Sequence, residues 1–303
     1  MTVAVGGENL IDLVQEDDGR YVAHPGGSPM NVAMALARQG VDVHYLTPVS
    51  TDRMGDLIAE RLKADHVKMA APRNTAPTSL AVVSLTNGAA SYQFYREGTA
   101  ERQFSSEILA QTVPRDIKAF HIGSLAVSAG SDADAWVEYS LQCKERGIMT
   151  CYDPNIRAAL IPDRSAFLKR FEQLIAATDI LKLSDEDLQW LYPELGLEAA
   201  FQQLVDRSSS SLSVLTKGAY GAMAQAGDVR TKRSAAHVDH LVDTVGAGDT
   251  FMATLIRQMM DRDGDFDISQ EDLDHMIGTA SRAAAFNCGR AGCQPPTLRD
   301  LKS

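Results

Sequence analysis

The chain of 303 residues has little cysteine, few aromatic residues and a deficit of positive charge. Its four cysteines form no CxxC pair, which argues against a disulfide scaffold and a thiolate zinc site and favours reduced thiols in a cytoplasmic protein. Lys and Arg number 29 against 40 Asp and Glu, and the net charge of −11 repels nucleic acid and anionic lipid at long range. We therefore expect neither nucleic-acid nor membrane binding.

Long hydrophobic runs are also missing. No window approaches the apolar length of a membrane span. The first residues, MTVAVGGENLIDL, have neither a basic region nor a cleavage site, so we expect no signal peptide. The pattern GxxxxGK[ST] is absent, which leaves a P-loop ATPase unsupported. With 45% hydrophobic residues, the composition is that of a soluble globular protein with a sizeable core, as one large domain with an appendage or as two domains.

Short apolar runs alternate along most of the chain with segments of helical period. For example, AFHIGSLAV precedes DADAWVEYSLQCKERG, which in turn precedes IMTCYDP. Strands and helices that alternate at this length predict right-handed crossovers and a mostly parallel sheet with helices on both faces. The predicted fold class is α/β.

Two segments interrupt this alternation. LIDLVQEDDGRYVAHP is typical of a strand, an acidic turn and a second strand, and TSLAVVSLTNGAASYQFYRE of two strands joined at Asn87 and Gly88. Asn-Gly is the favoured two-residue hairpin turn because both positions tolerate positive φ. Two hairpins predict a small antiparallel sheet of four strands that stands apart as a flap. One of its faces must cover a ligand, a partner subunit or both.

The stretch VDTVGAGDTFMA contains glycines and a carboxylate where a helix begins. Gly246 and Gly248 would let a phosphate approach the backbone, and the free amides of a helix start favour negative charge. Asp249 would then be a catalytic group. The alternative is that the glycines form a turn and Asp249 only caps the helix.

A second glycine pair stands in HPGGSPMNVAMALARQG, where Pro29 suits the first turn of a helix. Asn31 on that turn could hydrogen-bond a polyol. The alternative is that Ser28 caps the helix and Asn31 is exposed. Asp12, just past the apolar start of a strand, lies where substrates bind in open α/β sheets, although a strand-end aspartate is more often a loop residue.

These stretches together resemble the ribokinase-like (PfkB) carbohydrate kinases. PGGSPMNVA and DTVGAGDTF match the two family signatures in order and separation, and YDPNIR, KLSDEDLQWL and LTKGAYGA match further motifs. The resemblance implies a three-layer α/β/α fold with a mostly parallel central sheet and a small antiparallel β-sheet lid. It places the large domain at 1–11, 25–76 and 105–303 and the lid at 12–24 and 77–104. It also implies transfer of the γ-phosphoryl group of ATP to a sugar or nucleoside hydroxyl.

Carried over residue by residue, the resemblance implies that Asp249 is the catalytic base. Amides of the anion hole would come from Gly246, Ala247 and Gly248. The sugar-binding residues would be Asp12, Gly26, Gly27, Asn31, Arg96 from the lid, Arg157 and Asp249. For Arg157 the alternative is a surface ion pair. A carboxylate of low pKa suffices as the base, because protein groups in phosphoryl transfer mainly position the reactants and neutralise charge.

The nucleotide side departs further from the family pattern. The implied nucleotide-binding residues are Ser184, Thr216, Gly218, Gly246, Gly248 and Ser281. Asp187 stands where relatives have a glutamate that holds Mg²⁺ through water, but Ser184 and Asp187 would also form a capping box. The carbonyls of Asp243 and Val245, with the segment GRAGC, match a region that binds a monovalent cation such as K⁺ in several relatives.

Within the family, five motifs favour D-fructose, phosphorylated at O6: GENLIDL, GGSPMNVA, the lid motif FYREGTAE, HIGS and DPNIR. They are typical of bacterial fructokinases. A 2-keto-3-deoxygluconate kinase or another sugar or nucleoside kinase of the family is the alternative, and a catalytically inactive sugar sensor is the non-enzyme alternative. The expected partners are the sugar and ATP. The exposed lid sheet is compatible with a homodimer.

Overall fold

The computed structural model describes residues 1–16, 18–86 and 89–302. Within these residues nine strands form a large sheet and four strands form a second, smaller sheet. The large sheet contains, in spatial order, β13 (Val229–Arg233), β12 (Ala222–Ala226), β11 (Leu212–Thr216), β10 (Ile180–Ser184), β9 (Met149–Asp153), β8 (Ile117–Gly123), β1 (Thr2–Val5), β4 (Asp42–Tyr45) and β5 (Lys68–Met69). From β5 to β11 neighbouring strands are parallel, and β12 and β13 extend the sheet antiparallel.

Helices cover both faces of this sheet. They are α1 (Ser28–Arg38), α2 (Arg53–Ala64), α3 (Ser106–Thr112), α4 (Ser131–Glu145), α5 (Arg164–Ile175), α6 (Asp185–Leu191), α7 (Leu197–Arg207), α8 (Ala247–Asp261), α9 (Gln270–Cys288) and α10 (Leu298–Lys302). Side chains that alternate along a strand enter different cores: Val3 and Val5 of β1 pack with α1, α2, α8 and α9, whereas Ala4 packs with α4 to α7. The predicted three-layer α/β/α architecture is confirmed.

The inner strands are short and apolar because both of their faces are covered. All four residues of β1 and all five of β9 are buried. On the α4 side, the rings of Phe104 and Trp136 stack at a centroid distance of 3.5 Å. Among the residues that the structure describes, no helix has the length and apolar character needed to cross a membrane.

The small sheet consists of two hairpins, as predicted. Its strands, in spatial order, are β3 (Tyr21–Gly26), β2 (Leu10–Gln15), β6 (Ser79–Thr86) and β7 (Ala89–Tyr95). Each hairpin is antiparallel, but the two hairpins join through β2 and β6, which run parallel. That junction was not predicted, because no local signal specifies how two hairpins pair. The proposed Asn87–Gly88 turn lies outside the described residues.

The small sheet continues directly from the large one. β2 begins only a few residues after β1 ends, and β3 ends at Gly26, next to the first turn of α1. Because parallel strands present their carboxyl ends at one edge, the segments after β1, β8, β9, β10 and β11 meet on the same side of the large sheet. The two glycine-rich segments of the sequence therefore converge at this edge.

Candidate active site

Asp249 lies in the first turn of α8 and does not cap it. The N-cap is Gly246, and no side chain caps this helix. Asp249 is only 7% exposed, and its two carboxylate oxygens accept hydrogen bonds from Ser28 Oγ at 2.6 Å and Asn31 Nδ2 at 2.8 Å. The interpretation of Asp249 as a helix cap is therefore wrong. Its carboxylate is instead held by two side chains from the first turn of another helix, α1.

The start of that second helix, α1, also differs from the alternative in which Ser28 caps the helix and Asn31 is exposed. Its N-cap is Gly27, at φ 118°, and Pro29 lies in the first turn. Ser28 does not cap, since its hydroxyl points to Asp249, and Asn31 is 5% exposed rather than solvated. Gly27 cannot carry a side chain, because an added Cβ would lie 2.4 Å from the Glu8 carbonyl oxygen.

The pKa of Asp249 is raised above its ordinary value. Burial is the main cause, and the hydrogen bonds from Ser28 and Asn31 and the charges of Lys182 and Arg157 act in the opposite direction. The carboxylate is therefore desolvated but held by donors and cations. This arrangement suits a base that takes a proton late in a reaction.

The glycines at the start of α8 pack against Cys293 and Lys182. An added Cβ at Gly246, which has φ 75°, would lie 2.5 Å from Cys293 Sγ, and one at Gly248 would lie 3.3 Å from Lys182 Nζ. The Ala247 amide donates to the Thr244 carbonyl at 3.2 Å. The first N–H groups of a helix lack partners one turn earlier, so this end of α8 favours an anion.

The sugar-side residues Asp12 and Arg157 face the same place as Asp249. An added Cβ at Gly26 would lie 2.5 Å from Asp12 Oδ2, so the carboxylate covers that glycine. Burial raises the pKa of Asp12 to about 6, opposed by His24 and by Arg157. Arg157 is exposed, is held by Asn155 Oδ1 at 2.7 Å, and lowers the pKa of both Asp12 and Asp249. The interpretation of Arg157 as part of a surface ion pair has no support in these contacts.

Arg96 from the lid is held by a carboxylate of the same segment. Its side chain is 10% exposed, and the guanidinium donates to both oxygens of Glu101, at 2.8 and 3.1 Å. Its pKa is raised by Glu101 and Glu8, despite burial. The positive charge that Arg96 was predicted to offer to a sugar is thus largely neutralised within the protein.

Ser184 and Thr216, predicted on the nucleotide side, are register partners at the carboxyl ends of β10 and β11. The Thr216 hydroxyl donates to the Leu183 carbonyl at 3.3 Å, and Gly218 follows with φ 50°. Ser281 on α9 is half-buried, and its hydroxyl accepts from the Ala236 amide at 2.8 Å. These contacts leave a nucleotide role for the four residues as a prediction.

The capping box at α6 is present. Ser184 Oγ accepts from the Asp187 amide at 3.1 Å, and Asp187 Oδ2 accepts from the Ser184 amide and hydroxyl at 2.8 and 2.7 Å. Asp187 Oδ1 accepts from the Ile156 amide at 2.6 Å. Within the described residues, no group of three or more His, Cys, Asp or Glu side chains could hold a metal ion. Both oxygens of Asp187 thus accept hydrogen bonds from the protein, and a role of Asp187 in holding Mg²⁺ through water stays a prediction.

The loop predicted to bind a monovalent cation is closed by hydrogen bonds. The Val245 carbonyl accepts from Asn287 Nδ2 at 2.6 Å, and the Asp243 carboxylate accepts from the amides of Val245 at 3.0 Å and Gly292 at 2.8 Å. The structure thus brings 243–245 beside 287–292, as the resemblance implied. Cation binding there stays a prediction.

Four side chains at the site were not predicted. Ser28 was considered only as a cap. Glu8 is 2% exposed and accepts from the amides of Ser28 and Leu125, each at 3.1 Å; burial raises its pKa to about 7. Lys182 and Asp153 form an ion pair of 2.6 Å at 4% and 2% exposure. A charged residue within an apolar run, as in DILKLS and CYDPN, was the available signal.

Comparison with known proteins identifies the family of this chain. The model of the pfkB family of carbohydrate kinases matches residues 2–300. A fructokinase of Rhizobium leguminosarum bv. trifolii is 34% identical over 264 residues, which cover 84% of this chain and 78% of the relative. The chain therefore belongs to the pfkB family of carbohydrate kinases, and the family resemblance of the sequence is confirmed.

Solved structures confirm the fold. A fructokinase from Xylella fastidiosa with bound ATP has a TM-score of 0.88 at 24% identity, covering 99% of this chain and 97% of that one. A fructokinase from Vibrio cholerae O395 in fructose, ADP and calcium ion bound form has a TM-score of 0.83 at 25% identity, covering 99% and 95%. The three-layer architecture with its small second sheet is shared with both.

Proposed function

We propose that this protein is an ATP-dependent sugar kinase that converts D-fructose to fructose 6-phosphate. The observation that carries the proposal is the buried Asp249 carboxylate at the start of α8, held by Ser28 and Asn31 and flanked by Asp12 and Arg157. The relatives named above, including one with fructose and ADP bound, support the choice of reaction.

The proposed reaction is a displacement at phosphorus. The sugar CH2OH oxygen attacks the γ-phosphorus of Mg·ATP, the bond between that phosphorus and the β–γ bridging oxygen breaks, and ADP leaves. The hydroxyl proton passes to Asp249. In a loose transition state the hydroxyl becomes acidic late, so positioning and charge neutralisation at the α8 start contribute most of the rate.

The sugar would lie between the small sheet and the two helix starts. Asp12 would accept hydrogen bonds from sugar hydroxyls and Asn31 would contact others, so a ligand that leaves them unpaired is rejected. Asp12 lies on β2 of the lid sheet, and Arg96 directly follows β7 of the same sheet. We infer that 12–24 and 77–104 close over the site as a lid on the large domain formed by 1–11, 25–76 and 105–303.

The charge at the site favours a neutral sugar over an anionic one. A 2-keto-3-deoxygluconate kinase would need free positive charge near the substrate carboxylate. Here Glu101 neutralises Arg96, and Arg157 faces two aspartates, Asp12 and Asp249. An inactive sugar sensor is disfavoured because Asp249 is retained and fixed by two donors.

We also propose a homodimer, a cellular location and two bound cations. The lid exposes Tyr21, Val22 and Tyr95 at 44%, 40% and 51%, which favours a homodimer through the lid. All four cysteines are free, in keeping with the cytoplasmic location predicted from the sequence. Mg²⁺ would arrive with ATP, and K⁺ would bind near the Asp243 and Val245 carbonyls.

The decisive experiment measures ADP release with Mg·ATP against fructose, 2-keto-3-deoxygluconate, ribose, tagatose and adenosine. Fructose should give the highest kcat/KM, and phosphorus NMR of the product should show the phosphate on O6. ADP release with another substrate but not with fructose would overturn the fructose assignment. Sugar binding without ADP release from any substrate would favour the sensor.

A further inference from the structure

Lys182 and Asp153 form an ion pair that the proposed reaction does not yet use. They lie on the neighbouring strands β10 and β9, their charged atoms are 2.6 Å apart, and they are 4% and 2% exposed. Taking two charges out of water costs several kcal/mol each, and an apolar pair of similar volume often gives equal or greater stability. Stability is therefore a poor explanation for this pair.

The Lys182 ammonium lies beside the glycine-rich start of α8, where the phosphate is proposed to bind. An added Cβ on Gly248 would lie 3.3 Å from Lys182 Nζ and 3.9 Å from its Cε. The ammonium group thus lies next to the position that a Gly248 side chain would occupy, in the first turn of α8 and one residue before Asp249. At this position the charge of Lys182 acts on Asp249 through its electric field.

Three buried carboxylates interact electrostatically with this ammonium group. Burial opposes the charged form of Lys182, but Asp153, Asp187 and Asp249 outweigh it and raise the pKa of the lysine. Burial raises the pKa of Asp153 to about 6 even with Lys182 beside it. The lysine therefore stays charged, and its field extends to Asp249.

We propose that Lys182 is a positioning residue for phosphoryl transfer: its ammonium places positive charge beside Gly248 and Asp249 at the start of α8, and Asp153 holds it there. The inference rests on the proposed kinase function. Its physical reason is that the reaction brings an anionic phosphate to the side of an anionic base. A fixed cation behind both reduces that repulsion without competing for the phosphate.

The other groups that face Asp249 must be considered with it. Ser28 and Asn31 donate from α1, and Arg157 acts from the segment after β9. Asp153 on β9 interacts unfavourably with Asp249, whereas burial and Asp249 raise the pKa of Cys293 beside Gly246, so that this thiol is neutral and adds no charge. His121 on β8, next to Lys182, has its pKa lowered to about 3 by burial and by that lysine, so it is neutral and adds no charge.

A pair of variants separates an electrostatic role from a structural one, because their effects should have opposite signs. Lys182→Met removes the cation, so the pKa of Asp249 should rise, by about one unit or more for a close opposite charge. Asp153→Asn keeps the cation in place, because the Asn side-chain oxygen can still accept from Lys182 Nζ, and it removes a competing anion, so the pKa of Asp249 should fall or stay unchanged. General damage to the fold would move the pKa of Asp249 in the same direction in both variants.

The pKa of Asp249 is measured by carbon-13 NMR on the full-length protein labelled at the aspartate carboxyls, without sugar or nucleotide. The Asp249 signal is assigned by its loss in Asp249→Asn. An upward shift in both variants, or no shift in Lys182→Met, overturns the proposal. If Lys182→Met does not fold, Lys182→Gln, which retains a hydrogen-bonding group toward Asp153, replaces it.

Kinetics provide the second readout. In Lys182→Met, kcat should fall about 10- to 100-fold while the sugar KM changes little, because an interaction made in the transition state has been removed. An unchanged kcat overturns the positioning role. A wild-type protein that phosphorylates no sugar would overturn the proposed function instead, and the NMR titration would still report whether Lys182 controls the ionisation of Asp249.

Discussion

The Ser28 hydroxyl donates to a carboxylate oxygen of Asp249 at 2.6 Å, across 221 positions of the chain. This contact joins the first turns of α1 and α8. It brings the predicted base, Asp249, next to the helix that carries the predicted sugar-binding residue Asn31. The amide of Ser28 donates to Glu8, so three separate segments meet at this point. The contact also suggests how each group at the site can be tested.

Replacing Asp249 by Asn should lower kcat about 10²- to 10⁴-fold, because the hydroxyl proton loses its acceptor. Sugar binding, measured by calorimetry, should persist. The matched control is Asp272→Asn, which changes a first-turn aspartate of α9 that forms a capping box and an ion pair with Arg262. Turnover in Asp249→Asn equal to that of the control would remove Asp249 from the mechanism.

Replacing Ser28 by Ala should move the acid limb of the kcat/KM profile to higher pH. The hydrogen bond from Ser28 stabilises the charged form of Asp249, so its loss raises a pKa that burial has already raised, by up to about one unit. Activity is lost as pH falls through this pKa. Ser140→Ala is the control, since Ser140 is also buried but donates to the Trp136 carbonyl. An acid limb that moves equally in both variants would contradict the assignment.

Replacing Asp12 by Asn should weaken sugar binding but stabilise the protein at alkaline pH. The folded pKa of Asp12, about 6, exceeds its ordinary value of 3.8, so the folded state holds the proton more tightly. Asp12 therefore lowers the free energy of unfolding as pH rises from about 4 through 6, and the loss is complete above that window. Urea unfolding at pH 4 and pH 8 should show the gain of Asp12→Asn only at pH 8.

The control for Asp12 is Asp18→Asn in the same hairpin. The pKa of Asp18 is lowered by its hydrogen bonds from Arg20, so its removal should give no gain at pH 8. Equal stabilisation by both variants would mean that the effect comes from net charge rather than from burial.

Replacing Gly246 by Ala should destabilise the protein by more than the cost of its backbone conformation alone. A left-handed residue with a side chain costs about 1–2 kcal/mol, and here the new Cβ would also lie 2.5 Å from Cys293 Sγ. Gly227→Ala isolates the first cost, because Gly227 has φ 54° and open space around it. Urea unfolding of both variants and of Gly246→Ala/Cys293→Ala checks this.

In that comparison, the double variant should recover the part of the loss that the sulfur contact causes. If Gly246→Ala lowers the free energy of unfolding no more than Gly227→Ala does, then Cys293 does not constrain the start of α8. Recovery in the double variant would show that the segment after α9 supports the start of α8.

The glycine-rich motifs illustrate how much could be predicted. Periodicity after Gly246 located the start of α8, and the paired motifs identified the family, because each needs particular residue types at fixed local spacing. Asp249, Asn31, Asp12 and Arg157 do come together. Their local alternatives, a cap for Asp249 and an exposed Asn31, fitted the sequence equally well and were excluded only by contacts between distant segments.

By itself the sequence determined the alternation of strands and helices, the two hairpins, the glycine-rich helix starts and the family, since all of these depend on neighbours along the chain. The tertiary structure decided that Glu101 neutralises Arg96 and that β2 pairs parallel with β6. It also placed Lys182 behind Gly248, where the ammonium faces three carboxylates from other segments. Such electrostatics depend on distance and burial between segments remote in sequence, which no local pattern encodes.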